Sequence, residues 1–199
     1  FFFRSFFAMS LFTWDPAYTA ESYRGQMLWE VDPTGTIATK SEESDLITLL
    51  RSHEAVSGSF EVGVRSLTYQ GQGQQVKYHT VGLAHPQYDY NSCGLVDGKR
   101  GGQFGCLGFC LFQGHLSTVT DDMVFSQQFA VDDVVSFDVN SEAKTVRVTH
   151  VAGAHGTVFE KVVNWPRMPD SLHLAVAMDQ VGSSVQIEDP GGLTKAARS

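Results

Sequence analysis

The chain has 199 residues, enough for one well-filled core or at most one domain with an embellished terminus. Only 18% of them are charged and 12% are aromatic, which argues against disorder and long-helix assemblies and for a β-rich globule. The formal net charge is -8, with 14 Lys and Arg scattered rather than clustered, so no phosphate-binding face is expected and nucleic acid is not expected as a partner.

The start, "FFFRSFFAMSLFTW", has no acidic residue until Asp15 and one Arg. It reads as an apolar segment that packs on the domain or on a neighbour, with the remnant of a targeting sequence as the alternative. Because Phe1 is not an initiator Met, the numbered chain is expected to be processed or trimmed.

In "ESDLITLLRSHEA", Leu46, Leu49 and Leu50 recur at helical spacing, which makes this the best helix candidate, with a strand edge and its loop as the alternative. From there the period is two. "GSFEVGVRSLTY" places Phe60, Val62 and Val64 on one face and Glu61, Gly63 and Arg65 on the other, as a half-buried strand does. "KYHTVGLAHP" and "LHLAVAMDQ" repeat the habit more weakly, and "FGCLGFCLF" is apolar on both faces, as an inner strand is. "DDVVSFDVN" and "KTVRVTHVAG" flank the polar "NSEAK", predicting a hairpin with a short turn.

The stretches "QGQGQQ", "HPQYDYNSCGLVDGKRGGQ" and "NWPRMPD" are rich in Gly, Pro, Asn or Asp and read as loops. About ten short strands at this spacing predict an all-β antiparallel sandwich with few short helices. The expected organisation is an N-terminal segment over residues 1–11, a sandwich over 12–190 and a flexible tail over 191–199.

The order of these motifs resembles the SPRY (B30.2-type) family of bent, concanavalin-like β-sandwiches. A Gly-containing turn before a W-E-V strand is matched by Gly58 and then Phe60-Glu61-Val62, with Phe60 where the family has Trp. "TVGLAHP" is similar to a later G-hydrophobic-G-hydrophobic strand, and "QFGCLGFCLF" to a middle strand with a buried aromatic. The hairpin from Asp133-Val134-Val135 through Asp138 to Val146 and Val148 resembles the family's central meander, although "VAGAHG" replaces the Asn-Gly turn that follows it there. "LHLAVAMDQVGSSVQI" is similar to the final strand. The likeness spans roughly residues 12 to 190; lectins and laminin-G-type domains share the same alternation. It implies a recognition module without a reaction of its own, of the kind that delivers substrates to ubiquitin ligases or docks subunits of large assemblies.

Chemistry has few candidates. Cys106 and Cys110 would share a strand face roughly 13 Å apart, too far for one zinc or one disulfide. Cys93 follows Asn91 in a loop and is the most reactive candidate thiol. His53 beside Glu54 and His85 before Pro86 invite a catalytic reading, but no nucleophile elbow or H-E-x-x-H accompanies them. "GLVDGKR" fails the spacing of a phosphate loop, and "DVNSEAK" lacks the Gly and Glu of a calcium loop. The pairs Asp121-Asp122 and Asp132-Asp133 read as solvated carboxylates, since neighbours in a strand point to different sides. No catalytic residue, cofactor or metal ligand is assigned.

The binding candidates are Arg51, Tyr69, Tyr88, Tyr90, Asn91, Lys99, Arg100, Trp165 and Arg167, because Tyr, Trp and Arg bury much area at modest entropic cost. Trp165 has a competing role as a cap on the core. The expected function is protein or peptide binding by rim loops, as an adaptor or subunit of a larger complex; the alternatives are a lectin-like domain using "YDYN" and, more remotely, an enzyme using a Cys or a His. Three cysteines without an Asn-x-Ser/Thr sequon suit a reducing, intracellular compartment, cytoplasmic or mitochondrial, and no run is long enough to span a membrane.

Overall fold

Period-two alternation puts an apolar face on nearly every strand, and two such faces bury each other in a sandwich. The computed structural model describes residues 12–18, 27–42, 48–68, 80–86, 106–110, 115–117, 123–125, 130–178 and 180–188. Its strands are β1 (Trp14–Asp15), β2 (Trp29–Val31), β3 (Ile37–Lys40), β4 (Thr48–Ser52), β5 (Val56–Ser57), β6 (Phe60–Thr68), β7 (Thr80–Ala84), β8 (Cys106–Cys110), β9 (His115–Ser117), β10 (Met123–Phe125), β11 (Val134–Asn140), β12 (Thr145–Ala152), β13 (Gly156–Asn164), β14 (Ser171–Met178) and β15 (Ser184–Glu188). One sheet runs β1-β4-β14-β7-β8-β9-β10, with β5 also on β14; the other runs β13-β12-β11-β6-β15-β3-β2. The pairings among the described residues are antiparallel.

The seven-stranded sheet turns Phe60, Val62 and Val64 of β6, Val135, Phe137 and Val139 of β11, and Val146 and Val148 of β12 into the core. Leu50, Val81, Leu83, Leu107, Phe109, Leu174 and Val176 meet them from the other sheet. Strand β14 is buried on both faces, as an inner strand must be. Its second face carries Ala175 and Ala177, which join Leu49, Ala84 and Cys106 in a smaller cluster against Tyr18. Gly82 lies in this sheet because a Cβ there would collide with the Leu107 carbonyl oxygen.

The expected hairpin forms, with Val139 opposite Val146. The Asn140 side chain accepts the Ala143 N–H at 2.9 Å, and Lys144 takes φ 54°. Of the helix candidate, Thr48–Ser52 is strand β4, the alternative that the sequence left open. Leu49 and Leu50 are both buried, but on opposite faces, so their spacing records a two-sided strand. Before β4, β2 and β3 form a hairpin that alternation did not bring out. Asp32 closes its turn by accepting N–H groups from Thr34, Thr36 and Ile37. Burial raises its carboxyl, but these bonds and the Thr34 hydroxyl hold it below the ordinary value. Among the described residues no helix is long and apolar enough to cross a membrane.

Candidate functional site

Four connections converge at one end of the sandwich. Strand β14 begins there, with Ser171 opposite Ser57 and His173 opposite Ala84. Strands β7 and β8 also meet there, Ala84 facing Cys106. The β11–β12 turn is at the same end: the Ser141 N–H donates to Ser59 Oγ at 3.1 Å. The connection from β13 to β14 is strapped to that turn, because the Trp165 N–H donates to the Lys144 carbonyl at 2.8 Å and Lys144 Nζ to the Met168 carbonyl at 3.2 Å. The rim therefore comprises residues 53–59, 85–86, 141–144 and 165–170.

Arg51 lies on the outer face of its sheet, opposite Ala175. Its guanidinium stacks on Tyr18, 3.7 Å from the ring centroid, a geometry in which the ring face attracts a cation. Nη1 donates to the Pro86 carbonyl at 3.3 Å, while Nε is buried with no hydrogen-bond partner. Beside it the Asp15 carboxylate accepts the Ala17 and Tyr18 N–H groups and lies 3.7 Å from Nδ1 of His53, whose side chain is 65% exposed.

His173 is buried. Its Nδ1 is 2.9 Å from the Ser52 carbonyl; a carbonyl only accepts, so Nδ1 carries the proton. That nitrogen cannot then act as a base for Ser52 Oγ, 3.4 Å away. The hydroxyl is in any case committed, donating to the Glu54 carbonyl and accepting the Leu174 N–H. Burial first, and the Arg51 charge second, push His173 below the ordinary histidine value.

A second polar cluster is enclosed in the core. His150 Nε2 donates to Asp133 Oδ2 at 2.9 Å, both side chains are buried, and Phe109 meets the imidazole edge to face. The same carboxylate oxygen accepts the Ala130 N–H. The expectation of two solvated carboxylates at Asp132-Asp133 is thus wrong for Asp133. Asp132 is exposed at φ 69°, and its neighbour turns inward to hold the imidazole.

Of the binding candidates, Arg51 supports the rim and Arg167 is exposed on it. Trp165 is 2% exposed and packs in the main core, so it underlies the rim and offers no contact surface; this corrects its place among the binding residues. Tyr88, Tyr90, Asn91, Lys99 and Arg100 lie outside the described residues, on the connection between Ala84, the last residue of β7, and Cys106, the first of β8. Tyr69 is also outside them, and follows Thr68 at the far end of β6. Cys93, Asp121 and Asp122 are likewise outside; Cys106 is buried. Tyr18, Asp15 and His173 escaped the sequence reading, and the only signal for them was an Asp-Pro-x-Tyr turn and a lone His in an apolar run.

Solved structures with the same arrangement include the SPRY domain of human HERC1, at 16% identity and a TM-score of 0.61 over 88% of this chain and 97% of that one. The TRIM65 PSpry domain matches at 12% identity and a TM-score of 0.62 over 89% and 91%. The chain has the SPRY fold. Within the wider concanavalin-like class, the lectin UEA-II complexed with galactose matches this SPRY fold at 14% identity and a TM-score of 0.54 over 80% and 87%. No family model and no curated protein matches the sequence.

Proposed function

We propose that the protein is a recognition module that binds a protein or peptide through the rim, as an adaptor or subunit of a larger assembly in a reducing, intracellular compartment. The observation that carries this reading is the convergence of four connections at one end, with Arg51 bonded to Pro86 where the longest of them departs. A rigid two-sheet frame that gathers variable connections at one end is a common way for sandwiches to build binding surfaces. The candidates on residues 87–105, Tyr88, Tyr90, Asn91, Lys99 and Arg100, join Arg167 in this proposal, with Arg51 as support. The likeness to SPRY domains favours a protein ligand. The reading assigns the chain no reaction of its own.

Affinity capture on the tagged full chain, quantified beside Tyr88→Ala/Tyr90→Ala/Arg167→Ala, tests it. A stoichiometric protein partner lost in the variant supports the reading, and a partner indifferent to all three changes contradicts it. The galactose complex of the lectin neighbour makes sugar the competing ligand. A glycan array that is positive for the wild type and negative for Tyr88→Ala/Tyr90→Ala would replace the protein-binding reading with that one.

A further inference from the structure

We infer that Arg51 and His173 form an acid-sensitive latch: with His173 neutral, Arg51 holds the Pro86 carbonyl, and a proton on His173 drives the guanidinium off it. This goes beyond the binding reading and stands whether or not the rim has a partner.

On the outer face of the sheet, Arg51 opposes Ala175, and His173 is the next residue of β14 on that face, opposite Ala84. Pro86 lies two residues beyond Ala84. To reach the Pro86 carbonyl, the Arg51 side chain must run along the sheet past the row that His173 occupies. Residues at such diagonal positions are within reach of a long side chain. The imidazole is buried, with Nδ1–H committed to the Ser52 carbonyl at 2.9 Å. A proton added to it therefore brings a second positive charge beside the guanidinium, in a place where water screens poorly.

The latch is weak enough to release. It consists of one 3.3 Å hydrogen bond and the stacking on Tyr18, with Nε unpartnered. Among the described residues, the other charged or titratable groups around it are Asp15 on β1 and Tyr18 after it, His53 and Glu54 after β4, His85 after β7, and Cys106 on β8. Asp15 and Glu54 oppose the effect by favouring the imidazolium, whereas burial and Arg51 outweigh them.

The test is a proton NMR titration of the full chain from about pH 7.5 to about pH 5, following the imidazole C–H signals of His173 and the Arg51 Nε–H signal. The inference expects both to move with one shared midpoint, below the ordinary histidine value of 6.5. In His173→Asn, whose amide can still donate to the Ser52 carbonyl, the Arg51 signal should stay flat. An Arg51 signal that is flat while His173 titrates overturns the inference, as does one that moves with a midpoint other than that of His173 or still moves in His173→Asn. Should the variant fail to fold, the comparison of the Arg51 and His173 midpoints in the wild type decides alone.

Discussion

The backbone N–H of Trp165 donates to the carbonyl of Lys144 across 2.8 Å, joining the β13–β14 connection to the tip of the β11–β12 hairpin while the indole is buried in the main core. Trp165 and its neighbour Arg167 therefore have opposite duties on one short loop. Trp165→Ala removes a buried aromatic and should cost about 3 to 5 kcal/mol. Arg167→Ala, on the exposed side, should stay within about 0.5 kcal/mol. Urea unfolding of both variants checks this, and comparable losses would contradict the division.

Adjacent carboxylates at the start of β11 make a similar contrast. Asp133→Ala removes the acceptor of the buried His150 Nε2–H and of the Ala130 N–H, so a loss of about 1 to 3 kcal/mol is expected. Asp132→Gly should cost little, because φ 69° is backbone that glycine adopts without strain. Thermal melts of the two variants read the difference directly.

The sign of the pH dependence at His173 follows from its lowered folded-state value, caused first by burial and then by Arg51. The unfolded chain, titrating near 6.5, takes up this proton more readily than the folded one. Stability from this group is full above that value and is lost as pH falls toward and through the folded value. Denaturant midpoints measured down the acid range should thus fall less steeply in His173→Asn than in the wild type. Equal slopes would show that other groups govern the acid limb.

Strand β13 forms one edge of the seven-stranded sheet. Lys161 stands opposite Val148, whose side chain is in the core, so an exposed charge occupies the core-facing side of an open edge. Such a charge opposes pairing with a second chain. Lys161→Val should promote self-association, seen as a concentration-dependent rise in mass by light scattering. A variant that stays as monodisperse as the wild type would remove this role from Lys161.

How much of this was legible in the sequence depended on strand length and on which faces are buried. β6, β11 and β12 are long and alternate strictly, because one face meets the core and the other meets water. β13 escaped notice because an edge strand exposes parts of both faces, and Phe159-Glu160-Lys161-Val162 shows no clean period. β2 and β3 are short, and their signal was the Asp32-Pro33-Thr34-Gly35 turn rather than periodicity. In the candidate site, Arg51 and Arg167 could be named from residue type, but Trp165 could not be assigned to core or surface. The contacts of Arg51 with Tyr18 and Pro86 span 33 and 35 positions, so only the fold brings them together. Asp133 was misread for the same reason: His150, which turns it inward, arrives from the next strand.

The proposed function puts partner contact at the rim and not at the opposite end of the sandwich. The most direct measurement places the photocrosslinking residue p-benzoylphenylalanine at Arg167 in one protein and at Val181 in another. Val181 is exposed and lies beyond Met178, at the far end of β14. Both proteins are irradiated in the cells that make the protein. The account predicts a discrete protein adduct from position 167 and none from position 181; an adduct from 181 with none from 167 would contradict it.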